Sequence, residues 1–207
     1  MKNGFFPIAC ATPPLRVADC TYNAEQIISL TREAAKNGSK LVVFPELCIT
    51  GYTCGDLFLQ KILLDSAKDS LIKIAKATEN LDITAVVGLP YVAEQTLYNC
   101  AAVVNGGHIK GLVPKLNIPN YAEFYEVRHF TAGKNEVTYV NINGEEIPFG
   151  ANILFKTDAC EDFVLAVEIC EDLWTAMPPS VNHALAGATI IANLSASNEV
   201  IAKDECL

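Results

Sequence analysis

The chain has 207 residues, of which 51% are hydrophobic and 19% are charged. This composition predicts an ordered domain with a sizeable core and excludes a disordered chain. The formal charge of -9 argues against nucleic acid and anionic membranes as partners, and no apolar run approaches the roughly 20 residues of a membrane span. The sequence shows no repeat, linker or low-complexity tract, so residues 1–207 are expected to form a single domain.

The eight cysteines include no Cys-x-x-Cys pair and no His-x-x-x-His pattern accompanies them, so no metal site is expected. Cys10, Cys48 and Cys100 lie in apolar segments and are interpreted as small buried hydrophobic residues. The N-terminus resembles a secretion signal, but its apolar run is short and contains Pro7. The cysteine usage is typical of a cytosolic protein and predicts a cytoplasmic location.

The first half of the chain alternates strands and helices. Apolar runs predict three strands, over residues 5–11, 40–45 and 83–89. Helical spacing of apolar residues predicts one helix that ends at residues 37–38 and another from about Asp56 to Thr78. Asn23 with Gln26 is interpreted as the N-terminal cap of the first helix.

Hairpins dominate the second half. The Asn-Gly-Gly at residues 105–107 and the Asn-Gly at residues 143–144 each separate two strand-like runs, and residues 114–133 are expected to form a loop. Three further elements are predicted: a strand that ends at Cys170, a helix over about residues 178–187 and a strand over residues 189–194. Strand–helix–strand units with hairpins between them predict an α/β fold with a mixed sheet.

Three strand ends carry residue types suited to covalent catalysis. The run Phe-Val-Leu-Ala-Val-Glu-Ile stops at Cys170, Leu-Val-Val-Phe-Pro precedes Glu46, and Lys115 follows the second hairpin strand. Carboxyl ends of parallel strands gather at one edge of a sheet, where ligands bind, and a thiolate nucleophile needs a nearby base or cation. Taken singly, the three residues have plainer interpretations: a buried structural thiol, a helix cap or surface acid, and a solvated lysine.

Together these segments resemble the Glu-Lys-Cys triad of the nitrilase superfamily. Further motifs are similar to the glutaminase domains of glutamine-dependent NAD synthetases: Gly-Tyr at residues 51–52, Ile-Pro-Asn-Tyr-Ala-Glu-Phe-Tyr-Glu at residues 118–126, Met-Pro-Pro-Ser at residues 177–180 and Ala-Asn-Leu-Ser-Ala-Ser at residues 192–197. The resemblance covers nearly the whole chain from Phe5 onward. It implies an αββα four-layer sandwich with mixed sheets, incomplete at the C-terminus.

The resemblance implies a hydrolase that attacks the side-chain amide of L-glutamine. Cys170 is then the nucleophile, Glu46 the general base, and Lys115 the cation beside the developing oxyanion, with the backbone N–H of Glu171 as a second donor. Glu123 and Glu126 are candidates for holding the lysine in place.

Substrate binding is implied for Tyr121, Ser197 and Lys203, with Phe124 as a wall against the amide plane. Lys203 stands where some relatives have arginine. A single ammonium would then replace the bidentate hydrogen bonds that an arginine makes to the substrate carboxylate. The alternative for the aromatics of residues 121–125 is ordinary core packing. Glu168 and Asp172 are expected to stiffen the turn at the thiol by hydrogen bonding.

The same resemblance implies that ATP and Mg belong to a synthetase domain with a Ser-Gly-Gly-x-Asp-Ser loop, and no such loop occurs in this sequence. The chain ends inside a helix predicted to begin near Ser197. It is therefore expected to be a fragment that needs no cofactor itself, supplies ammonia to the absent domain, and self-associates as a homo-oligomer through exposed sheet edges. Two alternatives remain: a carbamoylase, ω-amidase or nitrilase of the same fold, and a catalytically inert fragment.

Overall fold

A computed structural model describes residues 5–198 and residue 201. Its strands are β1 Ile8–Cys10, β2 Leu41–Val43, β3 Thr84–Ala93, β4 Thr96–Asn105, β5 His108–Pro114, β6 Thr138–Ile142, β7 Glu145–Phe149, β8 Phe155–Thr157, β9 Cys160–Ile169 and β10 Ile190–Leu194. Its α-helices are α1 Cys20–Lys36, α2 Lys61–Ala77 and α3 Pro179–Leu185. Short 3-10 helices cover Gly55–Leu59, Glu126–Arg128 and Cys170–Trp174.

The strands form two mixed sheets. The larger sheet has the order β1-β2-β3-β4-β5-β7-β6, and the smaller has the order β10-β9-β8. Strands β1, β2 and β3 run parallel to one another, whereas β3, β4 and β5 are joined antiparallel. In the smaller sheet β10 is parallel to β9, and β8 is antiparallel to it. The predicted α/β class with mixed sheets is confirmed.

The two faces of the larger sheet are buried against different layers. On β4, Val103 packs toward the smaller sheet with Leu165 and Val167 of β9, while its neighbour Val104 packs with the residues of α1 and α2. This alternation follows from the two-residue period of a strand. Because α3 contacts β9 on the smaller sheet, the layers are helix, sheet, sheet and helix, which confirms the predicted four-layer sandwich.

The predicted cap of the first helix is wrong. Asp19 caps α1 by accepting a hydrogen bond from the Tyr22 N–H at 3.1 Å. Asn23 lies inside the helix and is buried, and its amide side chain bonds to the backbone of Arg16 and to the carbonyl of Ile49. A polar residue that resembled a cap in sequence therefore satisfies backbone groups of two neighbouring loops.

Two further expectations need correction. The helix predicted from Asp56 is interrupted, because Gln60 is extended between the 3-10 helix Gly55–Leu59 and the start of α2. Cys10 is exposed rather than buried, since β1 is an edge strand of the larger sheet.

Both predicted hairpins are confirmed. Strand β8 was not predicted. No helix in the described part of the chain is long and apolar enough to cross a membrane.

Candidate active site

Glu46 lies in a tight turn directly after β2, and its carboxylate is buried. The turn packs against β3 at Gly88, where a Cβ atom would lie only 2.3 Å from the backbone nitrogen of Leu47. Only glycine therefore allows this turn to rest on the sheet. Leu47 has a positive φ of 52°, so the chain reverses sharply just after the glutamate.

Lys115 follows β5 and is fully buried, with 0% of its surface exposed. Its backbone N–H donates to the carbonyl of Asn99 at 2.8 Å, and its carbonyl accepts from the N–H of Gly133 at 2.7 Å. The ammonium donates to Oε1 of Glu46 at 2.7 Å and to both oxygens of Glu126 at 2.7 and 3.0 Å. One buried cation is therefore held between two carboxylates.

Two uncharged side chains complete this network. The hydroxyl of Tyr52 donates to Glu126 at 2.7 Å, and the amide of Asn99 donates to Glu46 at 2.7 Å and to Glu126 at 3.4 Å. Of the two acids proposed from the sequence to hold the lysine, Glu126 does so, while Glu123 is exposed. Asn99 lies within an apolar strand, and no pattern in the sequence marks it as part of the site.

The charges in this network oppose one another. Burial raises the pKa of Glu46, Lys115 lowers it, and the negative charge of Glu126 raises it, with a net rise. Burial lowers the pKa of Lys115, but the two carboxylates outweigh it, so the pKa of the lysine is raised. The lysine therefore stays an ammonium. The glutamate is more basic than an exposed one, which suits a proton acceptor.

Cys170 begins the 3-10 helix Cys170–Trp174 directly after β9. Its φ is 47°, a left-handed conformation that is unfavourable for a residue with a Cβ and is often found at functional sites. Burial raises the pKa of its thiol to about 11, the charge of Glu46 adds to this rise, and Lys115 and the N–H of Ala196 oppose it. The thiol is protonated at neutral pH and needs a base to become a nucleophile.

The turn at Cys170 is fixed by the two acids expected there. Asp172 accepts hydrogen bonds from the N–H of Ile169 at 3.1 Å and from the N–H groups of Leu116 and Asn117 at 3.1 and 2.8 Å. It therefore ties the loop after Lys115 to the turn that carries the thiol.

Glu168 accepts hydrogen bonds from the N–H of Ser180 and from the amide of Asn193. The predicted hydrogen bonding of both acids is confirmed.

Of the two aromatic residues predicted to bind substrate, Tyr121 is exposed and Phe124 is partly buried. Tyr121 is 54% exposed and Tyr125 is 63% exposed, so the core-packing interpretation of this segment is wrong for both. The hydroxyl of Tyr121 donates to Glu171 at 2.8 Å, and the ring of Phe124 contacts it edge-to-face at 5.7 Å. This contact places the aromatic loop beside the residue that follows the thiol.

The last part of the predicted site is described only in part. The N–H of Ala196 donates to Oε2 of Glu46 at 3.1 Å, which brings the segment before Ser197 to the buried carboxylate. Lys203 lies outside the described residues. Lys115 is hydrogen-bonded to Glu46, and Asp172 joins the loop after Lys115 to the turn at Cys170. The three strand ends therefore meet at one place, while the role of each side chain remains a prediction.

The αββα sandwich, with a buried acid–lysine pair beside a thiol at a strand end, defines a nitrilase-type hydrolase. The model of the carbon-nitrogen hydrolase family matches residues 8–204, and the chain belongs to this family. The resemblance proposed from the sequence is confirmed.

Three individual proteins show which kind of carbon-nitrogen hydrolase relative the chain is similar to. The chain is 39% identical over 204 residues to the glutamine-dependent NAD(+) synthetase of Mycobacterium tuberculosis, covering 99% of this chain and 30% of that protein. It is 35% identical over 198 residues to that of Thermotoga maritima, covering 95% and 31%. The solved glutamine-dependent NAD(+) synthetase of Cytophaga hutchinsonii superposes with a TM-score of 0.85 and 33% identity, over 97% of this chain and 32% of that one.

A more distant structure shares the fold. An amidase from Nesterenkonia sp. superposes with a TM-score of 0.71 at 19% identity, over 99% of this chain and 70% of the amidase. The chain thus spans less than a third of the length of the curated synthetases described above, at 30% and 31%.

Proposed function

We propose that this chain hydrolyses the side-chain amide of L-glutamine through a thioester on Cys170. The observation that carries the proposal is the buried Glu46–Lys115 pair next to a cysteine whose pKa is raised to about 11. Amide cleavage by cysteine requires a nucleophile, a general base and stabilisation of the oxyanion, and the thiol, the basic carboxylate and the fixed cation can supply these.

The reaction begins with proton transfer from the Cys170 thiol to Glu46. The sulfur then attacks the amide carbon, and the carbonyl oxygen becomes an oxyanion. The ammonium of Lys115 bonds to three oxygens of two carboxylates, and its positive charge is proposed to stabilise the oxyanion. The N–H of Glu171 lies in the first turn of the 3-10 helix, where N–H groups lack partners within the helix, and is the second proposed donor.

Collapse of the tetrahedral intermediate breaks the C–N bond. Glu46 gives its proton to the departing nitrogen, which leaves as ammonia, and a γ-glutamyl thioester remains on Cys170. Glu46 then takes a proton from water, which attacks the thioester carbon, and the thiol and glutamate are released. Each proton removed by Glu46 is returned within the same half-reaction.

Substrate selection is proposed to rest on residues that line the approach to the thiol. The exposed Tyr121 and the partly buried Phe124 form an aromatic corner beside Glu171, with Phe124 proposed as a wall against the amide plane. Ser197 follows the segment whose N–H contacts Glu46, and together with Lys203 it is proposed to bind the carboxylate of glutamine.

The relatives named glutamine-dependent NAD(+) synthetases suggest where the ammonia goes. We propose that this chain supplies it to a synthetase domain, which would bind ATP and Mg and which corresponds to the part of the relatives that the chain does not cover. The glutaminase half-reaction needs neither of these cofactors.

The test compares ammonia release from glutamine, N-carbamoyl amino acids and nitriles. The proposal expects glutamine to be preferred and Cys170→Ala to abolish release, whereas the matched Cys10→Ala variant, at an exposed cysteine, keeps the wild-type rate. Preference for a carbamoyl compound or a nitrile would assign a different hydrolase of the same fold.

A diazo-ketone analogue of glutamine tests whether the chain is inert. An adduct on the peptide that contains Cys170 supports a working site. Modification of another cysteine, or none, would favour the inert fragment.

A further inference from the structure

Asn99 contacts all three charged residues of the buried network, two through its side chain and one through its backbone. It lies on β4 in the middle of the larger sheet and is 1% exposed. Its backbone carbonyl accepts the N–H of Lys115 at 2.8 Å. Its side-chain amide donates to Oε1 of Glu46 at 2.7 Å and lies 3.4 Å from Oε2 of Glu126. The side chain of Asn99 therefore contacts both carboxylates, while its contact with Lys115 is between backbone groups.

The two oxygens of Glu46 have different surroundings. Oε1 accepts two short hydrogen bonds of 2.7 Å, one from Lys115 and one from Asn99. Oε2 accepts from the N–H of Ala196 at 3.1 Å, and the same N–H lowers the pKa of the Cys170 thiol. Ala196 lies two residues after β10, whose last residue, Leu194, pairs with Ile169 next to Cys170. Oε2 is therefore the oxygen on the cysteine side, and Oε1 is occupied by two donors.

The orientation of the Asn99 amide follows from its neighbours. Its NH2 group must face the two carboxylates, because an amide oxygen there would meet two acceptors. The amide oxygen is left buried without a hydrogen-bond partner among the described residues. An unsatisfied buried acceptor destabilises a fold, and an apolar residue on this strand would avoid it. Local violations of this kind are expected at functional sites.

We propose that Asn99 is a positioning residue for the hydrolysis: together with Lys115 it occupies Oε1 of Glu46, so that Oε2 is the oxygen that takes the proton from Cys170. This assignment rests on the proposed function. It implies two effects of the amide. The amide holds the carboxylate in one rotation, and it favours the ionised form of Glu46.

The pH dependence of the pair depends on every charged or titratable group that faces Glu46. These groups come from four segments: Tyr52 from the turn after β2, Lys115 from the end of β5, Glu126 from its 3-10 helix and Cys170 from the turn after β9. Because a substitution of the Asn99 side chain keeps its backbone bond to Lys115, it removes the amide and leaves these four groups in place.

The experiment measures the rate at which iodoacetamide alkylates Cys170 as a function of pH, read by mass spectrometry of its peptide, so no substrate is needed. The variants are Asn99→Leu, Asn99→Asp and the matched control Asn105→Leu. Asn105 lies on the same strand, and its amide donates to the carbonyl of Ile83 at 3.0 Å, away from the site.

The proposal expects the acid limb of the alkylation profile to move to higher pH in Asn99→Leu, by about one pH unit, because a hydrogen bond that favours ionised Glu46 is lost. Asn99→Asp places another carboxylate beside Glu46 and should move the limb in the same direction. Asn105→Leu should leave it within about 0.3 units of wild type. If glutamine is turned over, kcat should fall by roughly 10- to 100-fold in Asn99→Leu while KM changes less than twofold.

A limb that stays at its wild-type pH in both Asn99 variants would overturn the proposal, as would an equal shift in Asn105→Leu. If Asn99→Leu does not fold, Asn99→Asp gives the same test. Because alkylation reports the thiol and its base directly, a shifted limb in a chain that does not release ammonia from glutamine would refute the proposed substrate and keep the role of Asn99.

Discussion

The buried lysine should be more important for stability at neutral pH than at acidic pH. Lys115 is fully buried and bonds to Glu46 and Glu126 at 2.7 Å each. Lys115→Met keeps most of the side-chain volume and removes the charge. The two carboxylates are then buried without a counter-charge, and breaking a buried ion pair in this way costs about 3–5 kcal/mol. We expect a loss of this size in the free energy of unfolding at pH 7.

The pH dependence of that loss has a defined sign. The pKa of Glu46 is already raised by burial above its ordinary value of 4.5, and Lys115 opposes the rise. Without the lysine the pKa of Glu46 in the folded state rises further, so the folded state binds a proton that the unfolded state releases. The penalty is therefore small below about pH 4 and grows as the pH increases toward 7.

Urea denaturation at several pH values measures this effect. The matched control is Lys40→Met, which removes a half-exposed lysine paired with Asp82 on the surface. Such pairs contribute about 0.2–1 kcal/mol, so the control should lose little stability at any pH. A Lys115→Met variant that loses no more than the control, or loses as much at pH 4 as at pH 7, would refute this account of the network.

Outcomes are expected for four further variants. Cys170→Ala should abolish turnover and change the free energy of unfolding by less than about 1 kcal/mol, since a small side chain at a strand end is replaced. Lys115→Ala should reduce turnover nearly as much, and near-normal rates in this variant would contradict the oxyanion role of Lys115. Gly88→Ala should displace the Glu46 turn, because the new Cβ would lie 2.3 Å from a backbone nitrogen. It should lower the free energy of unfolding by about 1–3 kcal/mol and should also lower turnover. The control Gly38→Ala, at a positive φ with open space, should cost about 1 kcal/mol of stability and leave turnover unchanged. Asp172→Asn should weaken the tie between the Lys115 loop and the Cys170 turn and lower kcat about tenfold, as measured by ammonia release, with an unchanged rate counting against that tie.

The strand ends were predictable from the sequence because their signal is local. An apolar run that stops at Glu46, Lys115 or Cys170 is visible in a few residues, and so are the Asn-Gly turns of the two hairpins. The expectation that all three ends share one sheet edge is wrong, because Glu46 and Lys115 follow strands of the larger sheet and Cys170 follows β9 of the smaller sheet. The packing of one sheet on the other brings the thiol to the pair. The fold class followed from the same alternation of strands, helices and turns.

The rest of the network was not predictable because its contacts are distant in sequence. Asn99 reaches Glu46 across 53 positions, and Tyr52 reaches Glu126 across 74. In sequence, Asn99 is one polar residue in an apolar strand, and Glu123 and Glu126 are equivalent candidates. Asn23 had the residue type of a helix cap, but a tertiary contact with the carbonyl of Ile49 decided its position.

The most direct test of the central claim is to trap the acyl intermediate. The chain is mixed with glutamine, quenched in acid and digested, and the mass of the peptide that contains Cys170 is determined. The account predicts a γ-glutamyl thioester on Cys170, absent in Cys170→Ala and strongly reduced in Glu46→Gln. Ammonia release without an acyl group on Cys170, or an acyl group on another of the cysteines, would contradict it.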